Sequence, residues 1–249
     1  MPLSADVRAE LAAIAPVRQC DRFAELSALF HTAGTIHLLG RGRVALHLDV
    51  ASSAVARRGF ALLRELGVEA EIRTYPRHAF DRATRYQIHV DGDHRALAAL
   101  AEAGVVDDGH RPLERPPGRV VARACCRGAY LRGAFLGGGS LSGPRSPHLE
   151  LRTTSREGAV FLAAVAERSG AMLGVAERTS HALAYAKGWD SIEAVLAAAG
   201  ADEAVLALEE RAVVAEARAQ ANRLANADHA NLVRTSCDWA ARLVRTRLA

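Results

Sequence analysis

The chain repeats its own plan. In the first half an apolar helix, Arg22 to Ala33, is closed by Gly34. A short run, Thr35 to Leu39, then meets the turn Gly40-Arg41-Gly42, and Val44 to Val50 follows with alternating apolar residues. That pattern is a helix and a hairpin. Ser52-Ser53 are placed to cap a second helix, Ala54 to Leu66, ended by Gly67. Two alternating runs, Glu69 to Tyr75 and Arg85 to Val90, flank a basic loop, and a helix from Asp93 to Ala103 stops at Gly104. The second half keeps this order. Ala129 to Gly137 is an apolar helix with Gly138-Gly139-Ser140 as its stop, and His148 to Arg152 alternates like a strand. Ser155 caps a helix to Arg168, Ala171 to Glu177 and His181 to Ala186 read as a strand pair, and Trp189 to Ala199 is a helix stopped by Gly200.

Corresponding punctuation recurs after 105 residues (Gly34, Gly139), 103 (Ser52, Ser155) and 96 (Gly104, Gly200). A solenoid needs a shorter period and more copies, so a duplicated domain with pseudo-twofold symmetry fits better. The expected class is α+β, two αββαββα repeats followed by a helical connector. The boundaries are an N-terminal helix in 1–20, repeats at 21–108 and 122–200, a proline-rich linker at 109–121 with Pro112, Pro116 and Pro117, and the connector at 201–249. There, Asp202 to Asn226 reads as one long helix, and Asp228 is placed to cap another.

Composition narrows the function. With 249 residues, 24% charged and 50% hydrophobic, the chain can bury a core without staples. No apolar run reaches the roughly 18 to 20 residues of a membrane helix. The first ten residues hold Asp6, Arg8 and Glu10, which is unlike a secretory signal. Cys20, Cys125, Cys126 and Cys237 form no CxxC pair, so reduced cytosolic thiols are expected. Lys187 is the single lysine; arginine supplies the rest of the positive charge in a chain of net charge +4. Arginine-rich surfaces suit phosphate, although a GC-rich genome gives the same bias.

The segment Cys125-Cys126-Arg-Gly-Ala-Tyr-Leu-Arg-Gly-Ala-Phe-Leu-Gly-Gly-Gly-Ser140 resembles the signature helix of LAGLIDADG homing endonucleases and, more closely, the WhiA family of bacterial sporulation and cell-division regulators. Arg22 to Leu38 resembles that family's first repeat helix, and His148-Leu-Glu-Leu151 its second-repeat strand. Ala221-Asn-Arg-Leu-Ala-Asn226 with Ala230-Asn-Leu-Val-Arg-Thr235 resembles its asparagine-rich segment. The resemblance implies a LAGLIDADG-like fold and a DNA-binding regulator of transcription linked to sporulation, cell division or chromosome segregation. It further implies a cytoplasmic, nucleoid-associated place, a transcription-factor or sigma-factor partner, no cofactor and no membrane. A non-DNA interaction scaffold is the alternative.

Two departures from the pattern matter. Ala33 and Gly138 fall where such nucleases hold metal with a carboxylate. Neither offers a ligand, so no DNA cleavage and no metal site are expected. The family continues into a helix-turn-helix reader, and Asp228 to Ala249 does not supply one. Small residues four apart, Ala28 and Thr32 on one helix and Gly133 and Gly137 on the other, are expected to form the close helix contact at the pseudo-dyad.

Alternation points Val44, Leu46, Leu48 and Val50 inward, and His47 and Asp49 outward. It also turns outward Arg73, Tyr75, Arg85, Gln87, His89, His148, Glu150 and Arg152. Hairpin tips add Arg41, Arg43, Arg77, Arg82 and Arg145. These arginines are the DNA-contact candidates, opposed by Asp49, Glu71, Asp91 and Glu150 on the same face. In the connector, Asn222, Arg223, Asn226 and Asn231 either hold it against the repeats or touch a partner. Gly137-Gly-Gly-Ser140 lacks the Gly-Lys-Ser/Thr of a phosphate loop. No HExxH spacing occurs, and adjacent Cys125 and Cys126 are expected to diverge on their helix as buried small residues.

Overall fold

The computed structural model describes residues 3–40, 43–76, 84–143 and 146–247. Arg41, Arg77, Arg82 and Arg145 lie outside these. The chain divides into two compact units, Met1–Val205 and Leu206–Ala249.

The first unit contains both repeats. It opens with α1 (Leu3–Ala13). The first repeat is α2 (Gln19–Ala33), β1 (Gly34–Gly40), β2 (Arg43–Val50), α3 (Ser53–Glu65), β3 (Glu71–Pro76), β4 (Thr84–Asp91) and α4 (His94–Glu102). A short 3-10 helix, Gly118–Val121, leads into the second repeat: α5 (Ala124–Gly138), β5 (Gly139–Ser142), β6 (His148–Thr153), α6 (Arg156–Glu167), β7 (Gly174–Glu177), β8 (Ala182–Ala186) and α7 (Trp189–Ala199). Each repeat builds an antiparallel four-stranded sheet, ordered β1-β2-β4-β3 and β5-β6-β8-β7. The duplicated LAGLIDADG-like α+β plan is present.

The two central helices are alike to the residue. Each has 15 residues, and each starts and ends 105 positions from its counterpart. Eight consecutive residues of α2, Ala24 to His31, are buried, and so are nine of α5, Gly128 to Leu136. A helix buried on every side must be enclosed by other elements. Here α2 and α5 enclose one another and carry the sheets of their own repeats, with Leu26, Leu29, Leu131 and Phe135 almost wholly hidden.

The chain leaves both helices without a loop. Gly34 and Gly139 are extended, not left-handed, and begin β1 and β5 directly. A Cβ at Gly34 would lie 2.7 Å from the Phe30 ring, and one at Gly139 2.6 Å from the Phe135 ring. The missing side chain lets the strand fold back over the aromatic residue of its own helix. The stop read at Gly138-Gly139-Ser140 is where α5 ends, and the strand β5, which the sequence did not mark, begins there without a turn. It starts there because a glycine that permits close approach need not be a turn. Helix α5 also begins five residues before Ala129. At α6, Ser155 Oγ accepts from Gly158 N, as a cap should. Ser52 occupies the N-cap of α3 without a side-chain hydrogen bond.

Alternation assigns β2 well: Val44, Leu46, Leu48 and Val50 are buried. The connector differs from expectation. Where two helices were read, α8 (Asp202–Arg247) is a single helix of 46 residues. It contains no glycine or proline to end it, and Asn226 and Asp228, though mediocre helix formers, do not break a helix. Its first turn belongs to the repeat unit, where the Glu10 carboxylate accepts from the backbone N–H groups of Glu203 (2.8 Å) and Ala204 (3.0 Å). No described helix is long and apolar enough to cross a membrane.

Candidate nucleic-acid interface

The repeat pairing sets the geometry of everything that follows. A Cβ on Gly133 would lie 2.9 Å from the Ala28 Cβ and also against the Glu25 carbonyl, and one on Gly137 would strike Thr32. The four small residues therefore lie at the helix contact, while Thr32 Oγ1 donates back to Ala28 O at 2.7 Å. Beneath them sits a buried ion triad. The Glu25 carboxylate accepts from Arg58 Nε at 2.7 Å and from Arg132 Nε at 2.8 Å, and Arg132 also donates to Ala199 O at 3.1 Å. One fully enclosed carboxylate of α2 thus ties together α3, α5 and the end of α7. None of its three residues was foreseen, because alternation and repeat matching treat helix interiors as apolar.

The C-terminal ends of α2 and α5 are where the resemblance to LAGLIDADG nucleases puts the metal-holding carboxylates of such enzymes. Here they carry Ala33 and Gly138, which supply no ligand atom. Beside them opens a pocket of about 240 Å³, lined by Arg8, Asp49, Ser52, Arg85, Gly137 and Arg152 among others. A divalent cation does not fit this donor set, which offers three guanidinium groups against a single carboxylate. That carboxylate is engaged, since Tyr75 OH donates to Asp49 Oδ1 at 2.6 Å. Arg8 comes from α1, hydrogen-bonds the Gly139 carbonyl, and has its pKa lowered first by burial and then by the neighbouring charge of Arg152. Sequence matching missed it because it lies before the repeats, in a helix with no counterpart in the second half.

The outward sheet faces are more neutral than their arginine content suggests. On the first sheet Arg73 is spent on Glu71 at 2.9 Å, and His89 Nε2 lies 3.1 Å from Asp91 Oδ1. Arg43 opens β2 at the hairpin. On the second, His148 pairs with Glu150 at 2.9 Å, leaving Arg152 exposed at the pocket. A row of histidines crosses the first sheet: the His37 and His47 rings are 4.5 Å apart, and His47 Nε2 is 2.7 Å from His89 Nδ1. Desolvation, then the charges of His37 and His89, push the His47 pKa down. Asn222, Arg223, Asn226 and Asn231 are exposed on α8, and Asn231 Oδ1 accepts from Arg234.

The comparisons with known proteins follow the same two halves. A model of the WhiA N-terminal LAGLIDADG-like domain matches residues 19–105, and one of the WhiA LAGLIDADG-like domain matches 127–218.

The chain belongs to the WhiA family.

A probable cell division protein WhiA from Heliobacterium modesticaldum is 34% identical over 237 residues, 94% of this chain and 74% of its own length. Its counterpart from Salinispora arenicola is 37% identical over 242 residues, covering 95% and 72%. Among solved structures, full-length DUF199/WhiA from "Thermatoga maritima" superposes with a TM-score of 0.65 at 20% identity, over 91% of this chain and 75% of that one. The homing endonuclease I-DmoI in complex with DNA and Mn gives a TM-score of 0.51 at 14% identity, over 74% and 98%, a likeness of fold. WhiA-type repeats thus share the paired-helix, two-sheet frame of that nuclease.

At the opposite end of the helix pair the WhiA frame holds a second cluster. The expectation that Cys125 and Cys126 diverge is wrong: their Sγ atoms are 3.9 Å apart. Both sit in the first turn of α5, where they converge with Cys20 and Asp21 of α2. Burial, then hydrogen bonds with Cys20, Cys125 and Asp21, push the Cys126 thiol up to about 12.

Proposed function

We propose that this WhiA-family chain binds DNA without cutting it, as part of a regulator of transcription tied to cell division or sporulation. The reading is carried by one observation: a pocket of three arginines stands beside the helix ends where a nuclease would gather metal. Arg8, Arg85 and Arg152 are suited to hold the backbone phosphates that a metal would otherwise draw in. A DNA-bound homing endonuclease among the structural neighbours supports nucleic acid lying across the sheets. The pairing of Arg73 with Glu71 moves the expected contacts away from the first sheet's outer strand and toward Arg85 and Arg152.

Salt-dependent gel shifts on random duplex test the reading. Arg85→Ala and Arg152→Ala should each weaken binding and lower the slope of log K against log salt by roughly one unit, whereas Arg73→Ala should change little. Duplex incubated with the chain and magnesium should stay intact. An absence of binding at low salt would favour the interaction-scaffold reading. That reading has its own support in the paired charges of the sheet faces and in the exposed Leu206, Val213, Leu224 and Leu232 of α8.

A further inference from the structure

The N-terminal turns of α2 and α5 bring together four groups of the kind that ligate soft metals. Cys20, Asp21, Cys125 and Cys126 place one ligand atom each within 4.8 Å of all the others. The pairs are related by the repeat itself, since Cys20-Asp21 and Cys125-Cys126 occupy the second and third residues of the two 15-residue helices. Each helix therefore contributes two ligands from matching positions, on opposite sides of the pseudo-dyad.

The spacing of the two ligands on each helix matches a tetrahedral zinc site. In a tetrahedral zinc site, zinc–sulfur bonds of about 2.3 Å put thiolates about 3.8 Å apart, with thiolate and carboxylate oxygen about 3.6 Å apart. The structure has 3.9 Å between Cys125 Sγ and Cys126 Sγ, and 3.6 Å between Cys20 Sγ and Asp21 Oδ1. Three thiolates and one carboxylate around Zn²⁺ carry a net charge of −2, and positive groups stand beside them. Both helices aim their positive N-terminal dipole ends at the cluster. Arg123 Nη1 lies 3.9 Å from Cys20 Sγ, and the Arg18 guanidinium stands beside Cys125. Thiolate-rich tetrahedral sites select zinc over the harder magnesium and manganese, which take oxygen donors.

We propose that Cys20, Asp21, Cys125 and Cys126 form a structural zinc site that pins the two repeats together at the N-terminal ends of their central helices. Binding deprotonates the three thiols, releases their protons to solvent, and closes the chain across both repeats. It does not depend on the DNA reading, because it lies at the other end of the helix pair from the arginine pocket.

The test uses the full chain, reduced, freed of metal with a chelator, and then titrated with zinc or cobalt chloride. One ion per chain is expected, with a higher melting temperature. Cobalt should give intense visible d–d bands of tetrahedral coordination and a thiolate-to-cobalt charge-transfer band. Cys20→Ser and Cys125→Ser, checked for folding by circular dichroism, should lose the ion, while Cys237→Ser should keep it. Arg123→Ala should weaken zinc binding by on the order of tenfold, the size of an outer-shell effect. Should either serine variant fail to fold, the charge-transfer intensity of the wild type still counts its thiolate ligands. Three outcomes overturn the proposal: no metal uptake by the reduced chain, uptake unchanged in both serine variants, or a Cys20–Cys125 disulfide in place of metal.

Discussion

Single residues here matter through burial. Glu25 is fully enclosed, and two guanidinium groups depend on it. Replacing a buried ion triad entirely with apolar residues is often harmless, but removing one member strands the others. Glu25→Ala should therefore destabilise the fold by about 3–5 kcal/mol, read from urea unfolding. A loss below about 1 kcal/mol, the scale of an exposed ion pair, would mean that water reaches the triad. His31 is also enclosed, with Nδ1 2.7 Å from Ser27 O and Nε2 3.1 Å from Leu113 O. Burial holds its pKa below the ordinary 6.5, outweighing both carbonyls. As pH falls through that ordinary value, the unfolded chain takes up a proton that the folded chain resists. Stability is thus fully present above about 6.5 and declines below it, until the folded pKa is reached. His31→Gln should flatten that decline in unfolding midpoints measured from neutral to mildly acidic pH.

Among the elements, the α2–α5 pair is the least forgiving. Helices that meet through glycine and alanine have no side-chain layer to compress. A Cβ at position 133 would meet Ala28 and the backbone of Glu25. Gly133→Ala should cost about 1–3 kcal/mol, and Gly133→Leu should prevent the repeats from docking. An unchanged melting temperature in either variant would show that the helices can separate locally without penalty. Helix α8 illustrates how far a sequence carries without tertiary help. With no glycine or proline from Asp202 to Arg247, propensity keeps it one helix where capping signals alone suggested two.

At the scale of the whole molecule, the two repeats are one folding unit. Neither central helix has a solvent face to fall back on, because each is the other's core. The expected result is a single cooperative unfolding transition for the repeats, coincident by near-ultraviolet circular dichroism and tyrosine fluorescence. Two separated transitions would mean that the helix pair is not what joins them. The duplication also separates two ends with different chemistry, arginines beside the C-terminal helix ends and thiols at the N-terminal ends.

The sequence alone determined the duplicated plan and the buried face of β2. Periodicity, turn residues and a 105-residue offset between the central helices are local or repeated signals, and they survive without coordinates. The same offset relates Cys20-Asp21 to Cys125-Cys126, so that cluster was legible in outline, although adjacency on a helix argued wrongly for divergence. Only the tertiary structure decided that Arg8 joins Arg85 and Arg152, that Glu25 gathers Arg58 and Arg132, and that Arg73 is spent on Glu71. The first two join residues from separate elements through close packing, which no spacing along the chain encodes, whereas Arg73 and Glu71 are two apart on β3, where strand alternation already put them on one face.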